Sequence, residues 1–285
     1  MKIWFDGSIR GDDEPVLSVS DRGVLYGDGL FETFRTYGGV PFRLERHLAR
    51  LAESRAFFRL GFPWEKEEIA TGVGELLAAN GMKDAAVRLT VTRGAATGPL
   101  GLVESDRVKV FMTVRSPGYA EELYREGIRM MVSSVRRNSC SPLSRHKTTN
   151  YLDALVARQE AHEAGVEEAL MLDEGGAVAE CTTANIFAVR GEAVVTPPLA
   201  APILPGITRA TIIEICRQMK QDVREEAMSL EQLREADEVF ITNSVMEVMA
   251  VRELAGKAVG TGRPGTVYRR IREAYRGLVR KECRM

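Results

Sequence analysis

The alternation of hydrophobic and polar residues in the first third of the chain predicts strands, interrupted by two segments with helical spacing. The run LFETFRTYGGVPFRL places Gly38 and Gly39 between two alternating stretches, which is typical of a β-hairpin. Apolar residues recur at helical spacing over 45–60 and 66–80, which predicts two helices. Two further alternating runs, AAVRLTVTRG and DRVKVFMTVRSP, complete a predicted first lobe of strands and helices.

The run SPG at 116–118 is the clearest boundary signal, because it collects turn-forming residues between two strand patterns. We therefore predict a small N-terminal α/β domain over 1–117 and a larger C-terminal domain over 118–285. In the second domain, strand patterns alternate with helical patterns over about 150–164, about 208–220 and the C-terminal segment. Mixed strands and helices in two lobes predict an α/β or α+β fold class.

The charge balance argues against nucleic acid and membranes as partners. The chain of 285 residues has 39 basic and 40 acidic side chains, a net charge of −1, whereas binding to polyanions requires clustered positive charge. It has no apolar run long enough to span a bilayer, and the N-terminal sequence MKIWFDGSIRGDDEPV has no apolar signal core. We therefore expect a cytoplasmic protein.

The cysteines and histidines are scattered, so the sequence predicts neither a metal site nor a disulfide framework. They stand singly at Cys140, Cys181, Cys216, Cys283, His47, His146 and His162. Any chemistry should therefore use lysine, carboxylates or a cofactor.

Lys147 is the candidate nucleophile. It follows the polar run NSCSPLSRH and precedes a predicted helix rich in apolar and small residues. A partly desolvated lysine loses stability as an ammonium, and its neutral amine can form a Schiff base with a carbonyl or with pyridoxal phosphate (PLP). The alternative is a solvated lysine at the start of a helix.

Glu180 lies between the apolar run GGAVA and the small-residue run CTTAN, so its carboxylate could be partly buried. A buried carboxylate requires a positive partner, and the protonated ring nitrogen of PLP could supply one. The alternative is a glutamate that faces water on an edge strand.

Three segments could bind a phosphate. The run LPGITRATI resembles a glycine turn opening a helix, whose first N–H groups suit an anion, although it also fits a plain junction with Thr208 as the N-cap. The run NSV at 243–245 could add a hydroxyl and further N–H groups. Arg50 could donate two hydrogen bonds, or it could be one of many exposed arginines.

These signals occur in an order that resembles the class IV aminotransferases, the PLP enzymes of fold type IV. That group includes branched-chain aminotransferases, D-amino-acid transaminases and aminodeoxychorismate lyases. The resemblance covers about residues 2–275. Its segments, in order, are SDRGVLYGDGLFETFR, RHLARL, KTTNYL, AECTTANIF, ILPGITR and TNSVMEVMAV.

The resemblance implies a role for each matching residue. Lys147 matches the lysine that binds the cofactor through a Schiff base, and Glu180 matches the carboxylate that pairs with the pyridine nitrogen. The positions that match phosphate-binding groups are Arg50, Ile207, Thr208 and Ser244. Tyr151 matches an aromatic residue near the ring hydroxyl of the cofactor. The positions expected to bind substrate are Tyr26, Phe31, Arg88 and Val245.

The resemblance also implies an arrangement of the whole molecule. Members of the family have a small N-terminal lobe and a larger C-terminal lobe, with the cofactor between them. They usually form homodimers, so we expect one here.

The choice among family members stays open at this point. Branched-chain aminotransferases usually have glycine after the glutamate of the FEG run, where this chain has Thr33, and they space the lysine and the NY pair by one residue more. Both departures favour the D-amino-acid transaminase and lyase branches. D-amino-acid transaminases follow TRG with an arginine and a histidine, whereas this chain continues AATGPLG, so Arg88 is our candidate for the substrate carboxylate.

We predict a transaminase that acts on a small amino acid and a 2-oxo acid. The alternative is aminodeoxychorismate lyase, which forms 4-aminobenzoate and pyruvate, because NSVMEVMAV is similar to the corresponding lyase run. A non-catalytic binding module is a third possibility, which intact Lys147 and Glu180 disfavour.

Overall fold

The computed structural model describes residues 1–14, 16–95 and 100–284, which form two compact units. The first unit comprises Met1–Pro117, His146–Asn150 and Val279–Met285, and the second comprises Gly118–Arg145 and Tyr151–Leu278. The short segment that contains Lys147 thus belongs to the first unit, although its sequence neighbours belong to the second. Separate domains over 1–117 and 118–285 stay a prediction.

The described residues of the first unit form one sheet, three helices and the last turn of the C-terminal helix. The strands are β1 Lys2–Phe5, β2 Ser8–Gly11, β3 Gly29–Tyr37, β4 Val40–Pro41, β5 Ala85–Thr92 and β6 Lys109–Arg115. The helices are α1 Arg22–Tyr26, α2 Leu44–Phe58 and α3 Lys66–Ala79. The strands pair antiparallel in the order β2-β1-β6-β5-β3-β4.

The predicted hairpin and the two predicted helices of this unit are confirmed. Gly38 and Gly39 join β3 to β4 with φ of 57° and 91°, a backbone conformation that disfavours residues with a Cβ atom. One face of the sheet is packed against α2 and α3, with Phe34 and Leu89 among the buried strand residues and Leu51 and Leu76 among the helical ones. This burial is the main stabilising term for the unit.

The second unit contains a nine-stranded mixed sheet. The strands are β7 Ile128–Arg137, β8 Glu168–Asp173, β9 Val178–Cys181, β10 Asn185–Arg190, β11 Ala193–Thr196, β12 Val223–Glu225, β13 Glu238–Asn243, β14 Glu247–Leu254 and β15 Lys257–Ala258. The helices are α4 Glu121–Glu126, α5 Leu152–Glu163, α6 Ile207–Gln218 and α7 Leu230–Arg234. The strands lie in the sheet in the order β12-β11-β10-β13-β14-β7-β8-β9, and β15 pairs with β14.

The strand and helix patterns predicted for this part of the chain are confirmed, and together the two units give the mixed α/β fold that the sequence predicts. Parallel pairing links β7 to β8 and to β14, while β10, β13 and β14 pair antiparallel. A final helix, α8, spans Thr266–Glu282.

The described residues contain neither a helix suited to span a membrane nor a metal-binding cluster of side chains. Across 1–14, 16–95 and 100–284, no helix has both the length and the apolar character needed to cross a bilayer. The same residues hold no group of three or more histidine, cysteine or acidic side chains arranged to bind a metal ion.

Candidate active site

Lys147 lies on an extended segment that is paired with β3. The backbone N–H of Phe31 donates to the carbonyl of Lys147 at 2.9 Å, and Thr149 N–H donates to the carbonyl of Gly29 at 2.9 Å. Thr148 forms an isolated antiparallel bridge with Leu30. The following helix begins only at Leu152, so the alternative of a solvated lysine at a helix start is wrong, and sheet pairing fixes the lysine instead.

The side chain of Lys147 is half-buried and approaches an aromatic ring. Its Nζ lies 4.4 Å from the ring centroid of Phe31, which is itself buried. The guanidinium carbon of Arg88 lies 3.6 Å from the same centroid, so Phe31 contacts both cations. These three residues, all predicted from the sequence, are therefore brought together within the first unit.

The loop before β3 is tied to the lysine segment. The Thr149 hydroxyl and the Asn150 amide both donate to the carbonyl of Gly27, at 2.7 and 2.8 Å. Gly27 has φ of 66°, and a Cβ atom there would crowd Asn150. The preceding Tyr26, predicted to contact substrate, is 54% exposed with Arg22 against its ring, and its role stays a prediction.

His146 connects the lysine segment to α2. Its Nδ1 lies 2.9 Å from the hydroxyl oxygen of Ser54, and its ring stacks on Phe57 at 4.8 Å between centroids. The segment before Lys147 is therefore held by a helix, while the residues after it are held by a strand.

Arg50, on α2, is buried rather than exposed. Its Nε and Nη2 donate to the two carboxylate oxygens of Glu32 at 2.8 and 2.6 Å, and His47 Nδ1 lies 2.7 Å from the same carboxylate. Burial alone would raise the pKa of Glu32, but the charge of Arg50 and the hydrogen bonds from His47 and Arg50 outweigh it and lower the pKa from 4.5 to about 2.

His47 is a buried member of this network. Burial lowers its pKa from 6.5, despite the hydrogen bond and the charge of Glu32, and the charges of Arg50 and Lys147 lower it further. The network Glu32–His47–Arg50 thus places an ion pair and a histidine of lowered pKa in the interior of the first unit.

Glu180 is buried on β9, so the alternative of a water-facing glutamate is wrong. Its Oε1 forms an ion pair with Arg137 at 3.1 Å. Its Oε2 accepts hydrogen bonds from the N–H of Leu204 at 3.0 Å and from the Asn185 amide at 3.3 Å. These three donors hold the carboxylate in a fixed orientation.

The run LPGITR forms a helix start, with Gly206 as the N-cap and Ile207 as the first residue of α6. Thr208 is buried within the first turn, so its alternative role as the N-cap is wrong. The N–H groups of this turn have no partner inside a helix, which makes them available for an anion. The phosphate contacts of Ile207 and Thr208 stay predictions.

The turn between β13 and β14 contains Ser244 and Val245. Asn243 Oδ1 accepts the N–H groups of Val245 at 2.9 Å and Met246 at 2.7 Å, so these groups stabilise the turn. Val245 is buried and Ser244 is half-buried, and their expected contacts stay predictions.

Thr242 is the residue that precedes Asn243 and this turn, at the end of β13. Its hydroxyl is buried and makes no hydrogen bond with the described residues. Thr242 pairs with Asn185 across β13 and β10, so the two side chains lie on one face of the sheet with Cβ atoms about 5 Å apart. A buried hydroxyl without a partner is costly, which indicates a ligand or water beside it.

Tyr151 is the N-cap of α5 and is half-buried. Its phenol oxygen lies 3.4 Å from the carbonyl of Thr182, just after β9. Its contact with the cofactor hydroxyl stays a prediction.

Sequence reasoning missed several residues that shape these sites. They are Glu32, His47, Arg137 and Asn185. Glu32 could have been noticed as a carboxylate inside the apolar run GLFETF, where it requires a partner. Arg137 carries no comparable signal, because its partner Glu180 is distant in sequence. Asn185 stands in the run AECTTANIF, only five residues after Glu180, and could have been noticed there as a polar residue before an apolar strand. Of the run AATGPLG, residues 96–99 lie outside the described residues.

Comparison with known proteins shows the family to which this chain belongs. The family model for class IV amino-transferases matches residues 29–254. The chain belongs to the class IV aminotransferase family. A relative from Methanocaldococcus jannaschii, named provisionally as a branched-chain-amino-acid aminotransferase, is 37% identical over 98% of this chain and 96% of its own length. The D-alanine aminotransferase of Bacillus licheniformis is 29% identical over 99% of this chain and 98% of its own length. The relatives of this class IV aminotransferase are therefore named for both branched-chain amino acids and D-alanine.

Solved structures of this family match nearly the whole chain. The crystal structure of the Escherichia coli branched-chain enzyme matches with a TM-score of 0.90 and 31% identity, over 97% of this chain and 94% of that one. A second branched-chain enzyme, solved with pyridoxamine 5'-phosphate, also matches with a TM-score of 0.90 and 31% identity, over 98% of this chain and 93% of that one. Fold type IV is thereby confirmed, and these names favour an aminotransferase over the lyase.

Proposed function

We propose that this class IV aminotransferase uses PLP, held covalently by Lys147, to move an amino group between an amino acid and a 2-oxo acid. The observation that carries the proposal is the placement of Lys147 Nζ against Phe31, on a segment fixed by β3 and α2. The solved branched-chain enzyme with pyridoxamine 5'-phosphate supports the same cofactor here.

The residues present fit this cofactor. Glu180 is a buried carboxylate, fixed by Arg137 and the Leu204 N–H, that is suited to a protonated pyridine nitrogen. The start of α6 presents backbone N–H groups of its first turn, which suit a phosphate. The hydroxyl of Thr242, buried without a protein partner among the described residues, is the orphaned group expected beside a ligand.

When bound, PLP withdraws electrons from the α-carbon of the amino acid. Lys147 Nζ would be the base that moves the α-proton. Glu180 would pair with the protonated ring nitrogen, and Tyr151 would lie near the ring hydroxyl. Phosphate binding falls to Arg50, Ile207, Thr208 and Ser244.

We propose branched-chain amino acids as the substrate class, since that name recurs among the relatives and solved structures. Phe31 and Val245 would supply apolar contacts and Tyr26 an aromatic one. Arg88 is exposed and its guanidinium lies against Phe31, so it can bind a substrate carboxylate.

Borohydride reduction of the holoenzyme tests the cofactor assignment. We expect a yellow protein whose reduced cofactor remains attached to Lys147, located by mass spectrometry of a peptide digest. A substrate panel then follows amino transfer from L-leucine, L-valine and D-alanine to 2-oxoglutarate or pyruvate, and 4-aminobenzoate formation from aminodeoxychorismate. An adduct on another lysine would overturn the role of Lys147, and turnover of aminodeoxychorismate alone would replace the transaminase by the lyase.

We also propose a homodimer, supported by an exposed apolar face on α5. Leu152, Leu155 and Val156 are 75%, 57% and 52% exposed and lie on one side of the helix. Such a face is stabilised by covering it, and a second copy is the proposed partner.

A cytoplasmic location is also proposed, in keeping with four cysteines that are free thiols.

A charge on this face should prevent the association. We expect Leu155→Glu to reduce the mass in solution from twice 31.5 kDa to 31.5 kDa, because a carboxylate buried without a partner opposes the interface. Light scattering after size exclusion measures this. Ala164→Glu, which adds the same charge at the exposed end of α5, should remain dimeric. A monomeric wild type would contradict the dimer, and an unchanged mass for Leu155→Glu would exclude this face.

A further inference from the structure

Asn185 occupies a position that links two parts of the second unit. Its amide donates to Glu180 Oε2 at 3.3 Å and to the carbonyl of Leu204 at 2.9 Å. Leu204 N–H in turn donates to Glu180 Oε2 at 3.0 Å, so the three residues form a closed hydrogen-bonded ring. All these contacts are inside the protein, since Asn185 and Glu180 are both buried.

The oxygen of the same amide faces the start of α6. A Cβ atom at Gly206 would overlap Oδ1 of Asn185, so the turn can approach this side chain only because residue 206 is glycine. One side chain therefore fixes the carboxylate on β9 with its amide nitrogen and borders the N-cap of α6 with its oxygen. Asn185 itself is held in the sheet by pairing with Thr242.

We infer that Asn185 is a positioning residue that fixes Glu180 relative to the turn 204–206 and the start of α6. The inference rests on the proposed function, in which Glu180 binds the ring nitrogen and α6 binds the phosphate. The ring nitrogen and the phosphate of PLP are a fixed distance apart. The cofactor can therefore make both contacts at full strength only if the protein fixes the distance between Glu180 and the start of α6.

The inferred role differs from that of Arg137. Arg137 pairs with the other carboxylate oxygen and supplies charge, and it also donates to the carbonyls of Ser144 at 2.6 Å and Pro202 at 3.1 Å. Asn185 is neutral, so it adds no charge beside Glu180. Its contribution is orientation, and replacing it should change cofactor binding while leaving the ion pair in place.

The first test is Asn185→Ser, which removes the amide donor. We expect the dissociation constant for PLP, measured by equilibrium dialysis, to rise about tenfold, since a hydrogen bond to a charged group accounts for about that factor. The KM for the amino donor should stay near wild type while kcat falls. Thr196→Val is the matched control, because it removes a buried hydrogen bond from the same sheet, to the carbonyl of Ile186, without touching Glu180.

The second test is Asn185→Asp, which keeps the shape and replaces the donor by a carboxylate beside Glu180. Two carboxylates at this distance do not both ionise freely, so the pH profile of kcat should gain an inflection that the wild type and Thr196→Val lack. A merely structural residue would lower the melting temperature without adding this inflection.

The outcomes separate the two proposals. If the wild type fails to bind PLP through Lys147, the proposed function fails. If the wild type binds PLP but both Asn185 variants retain its dissociation constant and pH profile, or change no more than Thr196→Val, only the role of Asn185 is overturned.

Discussion

Replacing Lys147 with alanine should reduce turnover by about 10⁴-fold or more while the protein still folds, because the variant loses both the covalent attachment and the proton-transferring amine. Folding should persist because the segment is fixed through backbone groups that alanine retains, among them the Lys147 carbonyl that accepts the N–H of Phe31. Initial rates with the best donor from the substrate panel measure the loss. Circular dichroism and the melting temperature report the fold.

Lys109→Ala is the matched control for this prediction. Lys109 also lies near an aromatic ring of the first unit, with its Nζ 5.8 Å from the centroid of Phe5, but it pairs with Asp6 and has no proposed role in the reaction. The Lys109→Ala variant should keep wild-type turnover. A Lys147→Ala protein that retains near-wild-type activity would remove this amine from the mechanism.

The second large effect is expected from Glu32→Gln, which removes the carboxylate that Arg50 and His47 share. Breaking a buried ion pair from one side leaves a buried charge without its partner and costs about 3–5 kcal/mol of the free energy of unfolding. The phosphate affinity should also fall, because Arg50 loses the two hydrogen bonds that orient it. Urea denaturation at pH 7 measures the stability.

The pH dependence of this effect follows from the lowered pKa of Glu32. A pKa of about 2 in the folded state against 4.5 in the unfolded state contributes about 3 kcal/mol of stability above pH 4.5, which is lost as the pH falls toward 2. The stability difference between wild type and Glu32→Gln should therefore shrink between pH 5 and pH 2. His47 also destabilises the fold in acid, because its lowered pKa lets the unfolded state bind a proton first as the pH falls below 6.5.

Glu45→Gln provides the comparison for Glu32. Glu45 forms an exposed pair with Lys66 at 3.5 Å, where solvent screens the charges, so its loss should change stability little at any pH. If Glu32→Gln proved as stable as Glu45→Gln, the buried network would not hold Arg50 as the structure indicates.

Local patterns determined the secondary structure of this chain. The hairpin at Gly38 and Gly39 and the helix α2 follow from residues that are neighbours in sequence, because turn geometry and side-chain periodicity act over a few residues. The start of α6 was predicted one or two residues late, since Gly206 rather than Thr208 is the N-cap. Such boundaries depend on backbone angles that composition alone leaves open.

The sequence by itself also determined the family and the candidate residues, because the motifs around Lys147, Glu180 and LPGITR are short and ordered along the chain. Only the tertiary structure decided what surrounds them. It paired the Lys147 segment with β3, gave Glu180 the partners Arg137 and Asn185, and joined Arg50 to Glu32. Arg137 and Glu180, like Arg50 and Glu32, are far apart in sequence. A buried charge is paired with whichever group the fold brings within hydrogen-bond distance, so such partners follow only from the tertiary structure.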